Sequence, residues 1–359
     1  MISPLLYHVI ADTNAQTGGL SFFSPRFGLV CSNILSYEVV LASGNVTTAS
    51  ASSNPDLWRA LKGGANNFGI VTRFTARSFH STKIWSGFLY MPAFQAAKVL
   101  AAFHEFVSKA DARTTYDNHA AGPLVCFSYI PKLRMQAISV NIVYTKLPED
   151  EQRWPTYWRR SSFSSLWRLW STCKVRSLTS ATDEMNALNP PGRRQLFATT
   201  TILNDRTTIS AAHTAYCDAI TSIRRVNVKG LLWTVVLQPL LSDWISKGDA
   251  NPLGLHDCTH ESLVIVSFTV NWNEPQDDDF VKTITRRTVE QIDAFAMANG
   301  TGHPYRYLNY CADWQQPIAG YGEENWRFLQ GVSRRYDPAG LFQKGCVGGF
   351  KLGIIDDEA

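Results

Sequence analysis

Asn54–Phe74, NPDLWRALKGGANNFGIVTRF, decides the fold reading. Its pattern predicts a short helix, a glycine turn and a strand. Asn54 is a capping residue type, and Pro55 suits the first turn. Leu57, Trp58, Ala60 and Leu61 give the helix one apolar side. Gly63 and Gly64 are expected to end it, because glycine takes positive φ without steric cost. Phe68–Phe74 reads as the strand, with Gly69 allowing close backbone approach. A Gly-Gly turn with free N–H groups can cradle a phosphate, and it can equally be a turn that binds nothing.

Around this stretch the composition sets bounds. The chain has 359 residues, 45% hydrophobic and 18% charged, enough for two cores. A net charge of +4 without a long basic run gives no reason to expect nucleic acid as a partner. No apolar stretch approaches the roughly 20 residues of a transmembrane span. The start, Met1–Gln16, has no basic region and only a short apolar run, so it does not read as a signal peptide. The 7 cysteines show no C-x-x-C and no Cys/His pairing at zinc spacing, so no metal is expected. Their odd number forbids complete internal pairing. The histidines likewise show no ligand spacing.

Along the chain, Ile34–Leu41 reads as a β-strand, Ala42–Asn45 as a turn, and Val46 as the start of the return strand. The character changes near residue 85. Ala93–Lys109 is an amphipathic helix with Phe94, Ala97, Leu100, Phe103 and Val107 on one side. Strand patterns at Leu124–Tyr129, Met135–Tyr144, Gln195–Ile202, Leu231–Leu240 and Leu263–Trp272 then mix with helical patterns at Thr207–Ile223 and Asp277–Asn299. That mixture marks an α+β domain. Within it, Glu149–Val175 is unusual, with Trp154, Trp158, Trp167 and Trp170 among arginines. An interfacial helix, a helix covering the sheet and a misread exon boundary all fit it.

Several motifs in order carry a family resemblance. They are Thr17–Gly28 (TGGLSFFSPRFG), Cys31–Gly44, Gly63–Phe74, Tyr307–Tyr310 (YLNY), Tyr321-Gly322, Asn325, Tyr336-Asp337-Pro338 and Gly348–Lys351. Together they resemble the berberine-bridge-enzyme-like flavin oxidoreductases of the vanillyl-alcohol-oxidase superfamily, its fungal branch above all. The resemblance runs from about residue 17 to about residue 352. It implies an α+β protein: a PCMH-type FAD-binding domain plus an antiparallel-sheet substrate domain covered by helices. Residues 1–84 would form the second FAD subdomain, 85–303 the substrate domain, and 304–359 the return to the FAD domain. Residues 1–16 match nothing in these relatives, so the first FAD subdomain is expected to be missing.

The resemblance further implies FAD as cofactor, with contacts at Gly18, Gly19, Gly63, Gly64, Asn67, Gly69, Ile70 and Asn309. Tyr310 would be the base, with Tyr307 orienting substrate or flavin. Plant relatives carry a glutamate base where Ile265 stands, so that role does not carry over. Gly248–Leu255 resembles a loop that in fungal relatives lies beside the substrate pocket. The implied activity is oxidation of a small organic metabolite in fungal secondary metabolism, with molecular oxygen accepting the electrons. A non-redox homologue, or a scaffold that shapes a substrate for cyclisation, stands beside it as the alternative.

Overall fold

The computed structural model describes residues 15–112, 116–187, 191–258 and 261–353. The reading of the first 14 residues lies outside these. The chain divides into two compact units. One comprises the residues up to His80, the segment 244–257, and everything from Pro304; the other comprises 81–243 and 258–303.

In the first unit, β1 (Ile34–Val40) is central, pairing antiparallel with β2 (Val46–Ser50) and β3 (Ile70–Ala76). Tyr37 and Val39 point inward and are fully buried, as period-2 alternation requires, and a register shift between Ile34 and Ser36 turns Ile34 inward as well. The helix Pro55–Leu61 follows β2, with Leu57, Ala60 and Leu61 buried.

Its ends differ from expectation. Asn54 has left-handed backbone (φ 49°) and makes no capping bond. Its amide donates instead to Thr48 O (2.8 Å) and Thr47 Oγ1 (3.1 Å), fastening the helix to β2. The positive φ after the helix belongs to Ala65 (53°) and to neither Gly63 nor Gly64. Those glycines answer to crowding. A Cβ on Gly63 would lie 2.7 Å from Leu253 Cδ2, and one on Gly64 would lie 2.4 Å from Phe68 Cε2. Gly69 meets the expectation of close approach, since its Cβ would fall 2.7 Å from Val40 O.

The second unit is a nine-stranded antiparallel sheet. Its strands are β4 (Ile84–Pro92), β5 (Ala120–Ile130), β6 (Met135–Tyr144), β7 (Trp170–Ser171), β8 (Lys174–Arg176), β9 (Arg194–Leu203), β10 (Leu232–Leu240), β11 (Leu263–Trp272) and β12 (Gly302–His303). The order is β12-β9-β11-β10-β5-β6-β4, with β7 and β8 both pairing to β4. Helices Ala96–Asp111, Arg206–Ile223 and Asp278–Ala298 back one face. Phe127 meets His213 edge-on at 4.5 Å, and Thr200 bonds Asp293. Residues alternating with Phe127 and Thr200 form the opposite face, which is rich in hydroxyls: Ser128, Thr234, Ser267 and Thr199.

Three expectations need correction here. Residues 244–257 had been placed in the substrate domain, yet they belong to the first unit, held by a Lys62–Asp249 ion pair and by Leu253 packing on Gly18 and Gly63. Phe94, expected on the buried side of its helix, is 73% exposed because it lies in a 3-10 turn (Ala93–Gln95) before the helix starts. Glu149–Val175 is not one helix. It contains a four-residue helix (Thr156–Arg159), a 3-10 turn (Ser162–Ser165) and the edge strands β7 and β8. Trp158 is fully buried, stacked on Phe106 at 5.6 Å, and its indole N–H donates to Val143 O (2.8 Å). Trp167 and Trp170 are exposed.

Candidate functional site

Within the first unit, the turn Thr17–Leu20 lies against Tyr305–Tyr310. Gly18 and Gly19 have φ of 97° and 81°, which residues with a side chain seldom adopt. Their carbonyls accept from the N–H groups of Cys31 (2.8 Å) and Val30 (3.0 Å). Their own N–H groups have no acceptor among the described residues, although both glycines are buried. A buried donor without an acceptor costs about 1–3 kcal/mol, so two in succession mark a place where a ligand oxygen or water belongs. Successive N–H groups in such backbone form an anion-binding concavity.

The tyrosine segment is a 3-10 turn, Leu308–Tyr310. The Leu20 N–H donates to the Tyr307 hydroxyl (3.0 Å), and Thr17 Oγ1 donates to Asn309 Oδ1 (2.6 Å). Tyr307 is buried. Burial pushes its hydroxyl up to about 12, against the lowering by Asn309 and by the Leu20 N–H. Tyr310 is half-buried, and its ring meets Tyr307 edge-on at 4.7 Å. Behind them, Tyr305 stacks near Tyr321 at 6.2 Å, and the Tyr321 hydroxyl donates to Gly63 O (3.1 Å).

The remaining candidates are placed differently. The Gly64 N–H is spent on Ala60 O (2.9 Å), and the Ala65 N–H on Gln16 O (3.1 Å). Of the Gly63-Gly64 pair, the Gly64 N–H is therefore not open to a ligand. Asn67 is fully buried and structural: it donates to Gly64 O (2.8 Å) and Phe350 O (2.9 Å), and accepts from Gln343 (2.9 Å). It ties the glycine turn to the C-terminal segment. Ile70 begins β3 and is 59% exposed, an apolar surface open to a ligand. Ile265 is fully buried on β11. Among the described residues, no group of three or more His, Cys, Asp or Glu is placed to hold a metal ion.

The sequence reading missed a buried ionic cluster beside this site. The Lys62 side chain is fully buried, 3.3 Å from Asp249 Oδ2 and 3.5 Å above the Trp58 ring. Burial lowers its pKa, and Asp249 acts in the opposite direction. Cys31, fully buried, has its thiol pushed by desolvation up to about 12, with Lys62 lowering it.

A raised thiol keeps its proton in the folded state while the unfolded chain, near 9.0, loses it. Its contribution is complete below pH 9 and is lost as pH rises toward about 12, at about 1.4 kcal/mol per pH unit. Cys31→Ala should therefore flatten the fall of the urea midpoint above pH 9 relative to the parent chain. Identical slopes would show that Cys31 stays unlinked to folding.

The fold is shared with solved flavin oxidoreductases of the vanillyl-alcohol-oxidase type. 6-Hydroxy-D-nicotine oxidase from Arthrobacter nicotinovorans aligns at a TM-score of 0.65 and 19% identity, over 92% of this chain and 69% of that one. BBE-like 1 from Physcomitrella patens aligns at 0.67 and 17% identity, over 96% and 70%. No family model matches the chain. Relatives by sequence include fungal proteins. "Oligopeptidase PhomG'" from Diaporthe leptostromiformis is 33% identical over 338 residues, 93% of this chain and 27% of that protein. FAD-dependent monooxygenase drtC from Aspergillus calidoustus is 28% identical over 343 residues, 94% and 63% of the respective lengths. FAD-dependent monooxygenase elcE from Phaeosphaeria nodorum is 30% identical over 349 residues, 95% and 99%. The chain belongs to the family of fungal FAD-dependent monooxygenases that includes elcE. It spans less than two thirds of the first two relatives.

Proposed function

We propose that this protein is an FAD-linked oxidoreductase acting on a small organic molecule of fungal secondary metabolism. One observation carries the reading: the two buried, unpartnered N–H groups of Gly18 and Gly19, joined by the Leu20–Tyr307 and Thr17–Asn309 bonds to a tyrosine-lined turn. The donor set fits the cofactor. Gly18 and Gly19 would hold a phosphate or carbonyl oxygen, and Asn309 would bond the flavin edge. Ile70 would give apolar cover. When bound, FAD would supply the two-electron acceptor that no side chain provides. Tyr307 is fixed and protonated, so it positions. Tyr310, less buried, is the group placed to exchange a proton with substrate. Molecular oxygen is the proposed final acceptor.

A flavin-free scaffold has one observation in its favour: Gly63, Gly64, Gly69 and Asn67 are all occupied by packing or internal bonds. One experiment separates the readings. The visible absorption of the purified chain is recorded before and after acid precipitation, with FAD added if it is colourless. Flavin bands that pass into the supernatant are expected. A chain that stays colourless with excess FAD would leave the scaffold reading standing.

A further inference from the structure

Scattered exposed apolar side chains are ordinary, but a contiguous patch is not. In the second unit, Phe94, Leu133, Met135, Trp167, Leu169 and Trp170 are between 45% and 73% exposed. They are neighbours. Leu133 and Met135 end the β5–β6 hairpin, and β6 packs on the turn that carries Phe94. Phe94 stacks on Trp167 at 5.7 Å. The Leu169 N–H donates to Tyr90 O (2.8 Å), and Trp170 stacks on the Tyr90 ring at 4.6 Å.

The segments that carry these side chains hold charge of one sign, and Glu184, which acts on Tyr90 and Cys173 beside them, is paired with Arg176. Segments 92–95, 131–135 and 166–174 contain Lys132, Arg134, Arg168 and Lys174, and no Asp or Glu. Arg168 is engaged, lying 4.7 Å over the Trp154 ring and donating to Ser164 O (2.6 Å). Lys132, Arg134 and Lys174 are exposed and meet no carboxylate among the described residues. The acidic run Glu149–Glu151 follows the far end of β6, about 30 Å of strand away from Met135.

We infer that this patch docks the protein on a bilayer carrying anionic headgroups. The apolar groups protrude from a hairpin end, a turn and an edge strand. A bilayer accepts such protrusions without a matching pocket. Tryptophan favours the headgroup level, and flanking Lys and Arg reach the phosphates while their stems stay apolar. This is attachment to one surface: no helix among the described residues is long and apolar enough to cross a membrane.

The test is co-sedimentation of the full chain with vesicles of phosphatidylcholine alone, or with about a third phosphatidylserine. Each cation near an anionic surface contributes about fivefold in affinity, so the three together predict about a hundredfold preference for the anionic vesicles. Lys132→Glu/Arg134→Glu/Lys174→Glu should abolish that preference. Phe94→Ser/Trp167→Ser should weaken binding to both vesicle types at least about tenfold. Both variants change exposed side chains, so their melting temperatures should match the parent's. Failure to pellet with anionic vesicles would overturn the inference. So would pelleting that neither variant weakens, or a concentration-dependent dimer that both variants abolish while vesicles bind no protein.

Discussion

Tyr310→Phe is expected to leave flavin absorbance and melting temperature unchanged while lowering turnover by about two to four orders of magnitude, the usual span for loss of a general base. That corresponds to about 3–5 kcal/mol of barrier. The two tyrosines can be told apart by what holds them. Tyr307 is buried, its hydroxyl accepts from the Leu20 N–H, and burial keeps its proton on. In the proposed reading it therefore positions and does not exchange a proton. Tyr310 is half-buried at the end of the same turn, braced edge-on by the Tyr307 ring. Its ring is fixed and its surroundings leave it less enclosed than its neighbour. Tyr307→Phe should show the reverse pattern. It would strip the acceptor from the Leu20 N–H beside two donors already unpartnered, so flavin affinity should fall first, and saturating FAD should restore most turnover. Turnover by substrate disappearance and FAD affinity by absorbance titration separate the two outcomes. Unchanged turnover in Tyr310→Phe would remove Tyr310 from the chemistry.

The architecture was legible because its signals are local. Alternation placed β5, β6 and β11, and three-to-four spacing placed the three covering helices, close to where they stand. Motif order singled out the Gly18–Gly28 and Tyr307–Tyr310 segments, which the Thr17–Asn309 and Leu20–Tyr307 bonds bring together. What stayed hidden depends on distant partners. Gly63 and Gly64 read as a positive-φ stop, yet their need for glycine comes from Leu253 and Phe68. Nothing adjacent in sequence announces Leu253, which sits on a loop inserted between strands of the other unit. Trp158 and Trp167 read alike within one Trp/Arg-rich run, although one is wholly buried and the other exposed. Only the position of Phe106 and of the Val143 carbonyl tells them apart. Lys62 gives no local sign of its burial, because a lysine before Gly-Gly normally reads as solvated.

That lysine supports the second large effect. Asp249→Ala should destabilise the chain by about 3–5 kcal/mol, the range for removing one partner of a buried pair. In the folded protein Lys62 is fully enclosed, with Asp249 at 3.3 Å and the Trp58 face at 3.5 Å. Arg77 also reaches Asp249, at 3.4 Å, but it is half exposed and can turn to water. Lys62 cannot. Without the carboxylate, the ammonium keeps only the ring face, or gives up its proton. The pH dependence follows from that choice. Burial already lowers the folded pKa of Lys62, and Asp249 is what raises it again. Removing Asp249 must lower it further. Between that folded value and the unfolded 10.5, the unfolded chain holds a proton that the folded chain lacks, so stability rises with pH. The variant's deficit should therefore shrink as pH is raised toward 9, before the buried thiols begin to act in the opposite sense. Lys62→Met in the Asp249→Ala background should recover most of the loss, since an apolar side chain of similar length needs no counter-charge. Urea midpoints across neutral to mildly alkaline pH measure both effects. A deficit that is independent of pH and unrelieved by Lys62→Met would mean that Asp249 acts through the backbone of its loop, where it exchanges bonds with Ser32, and not through its charge.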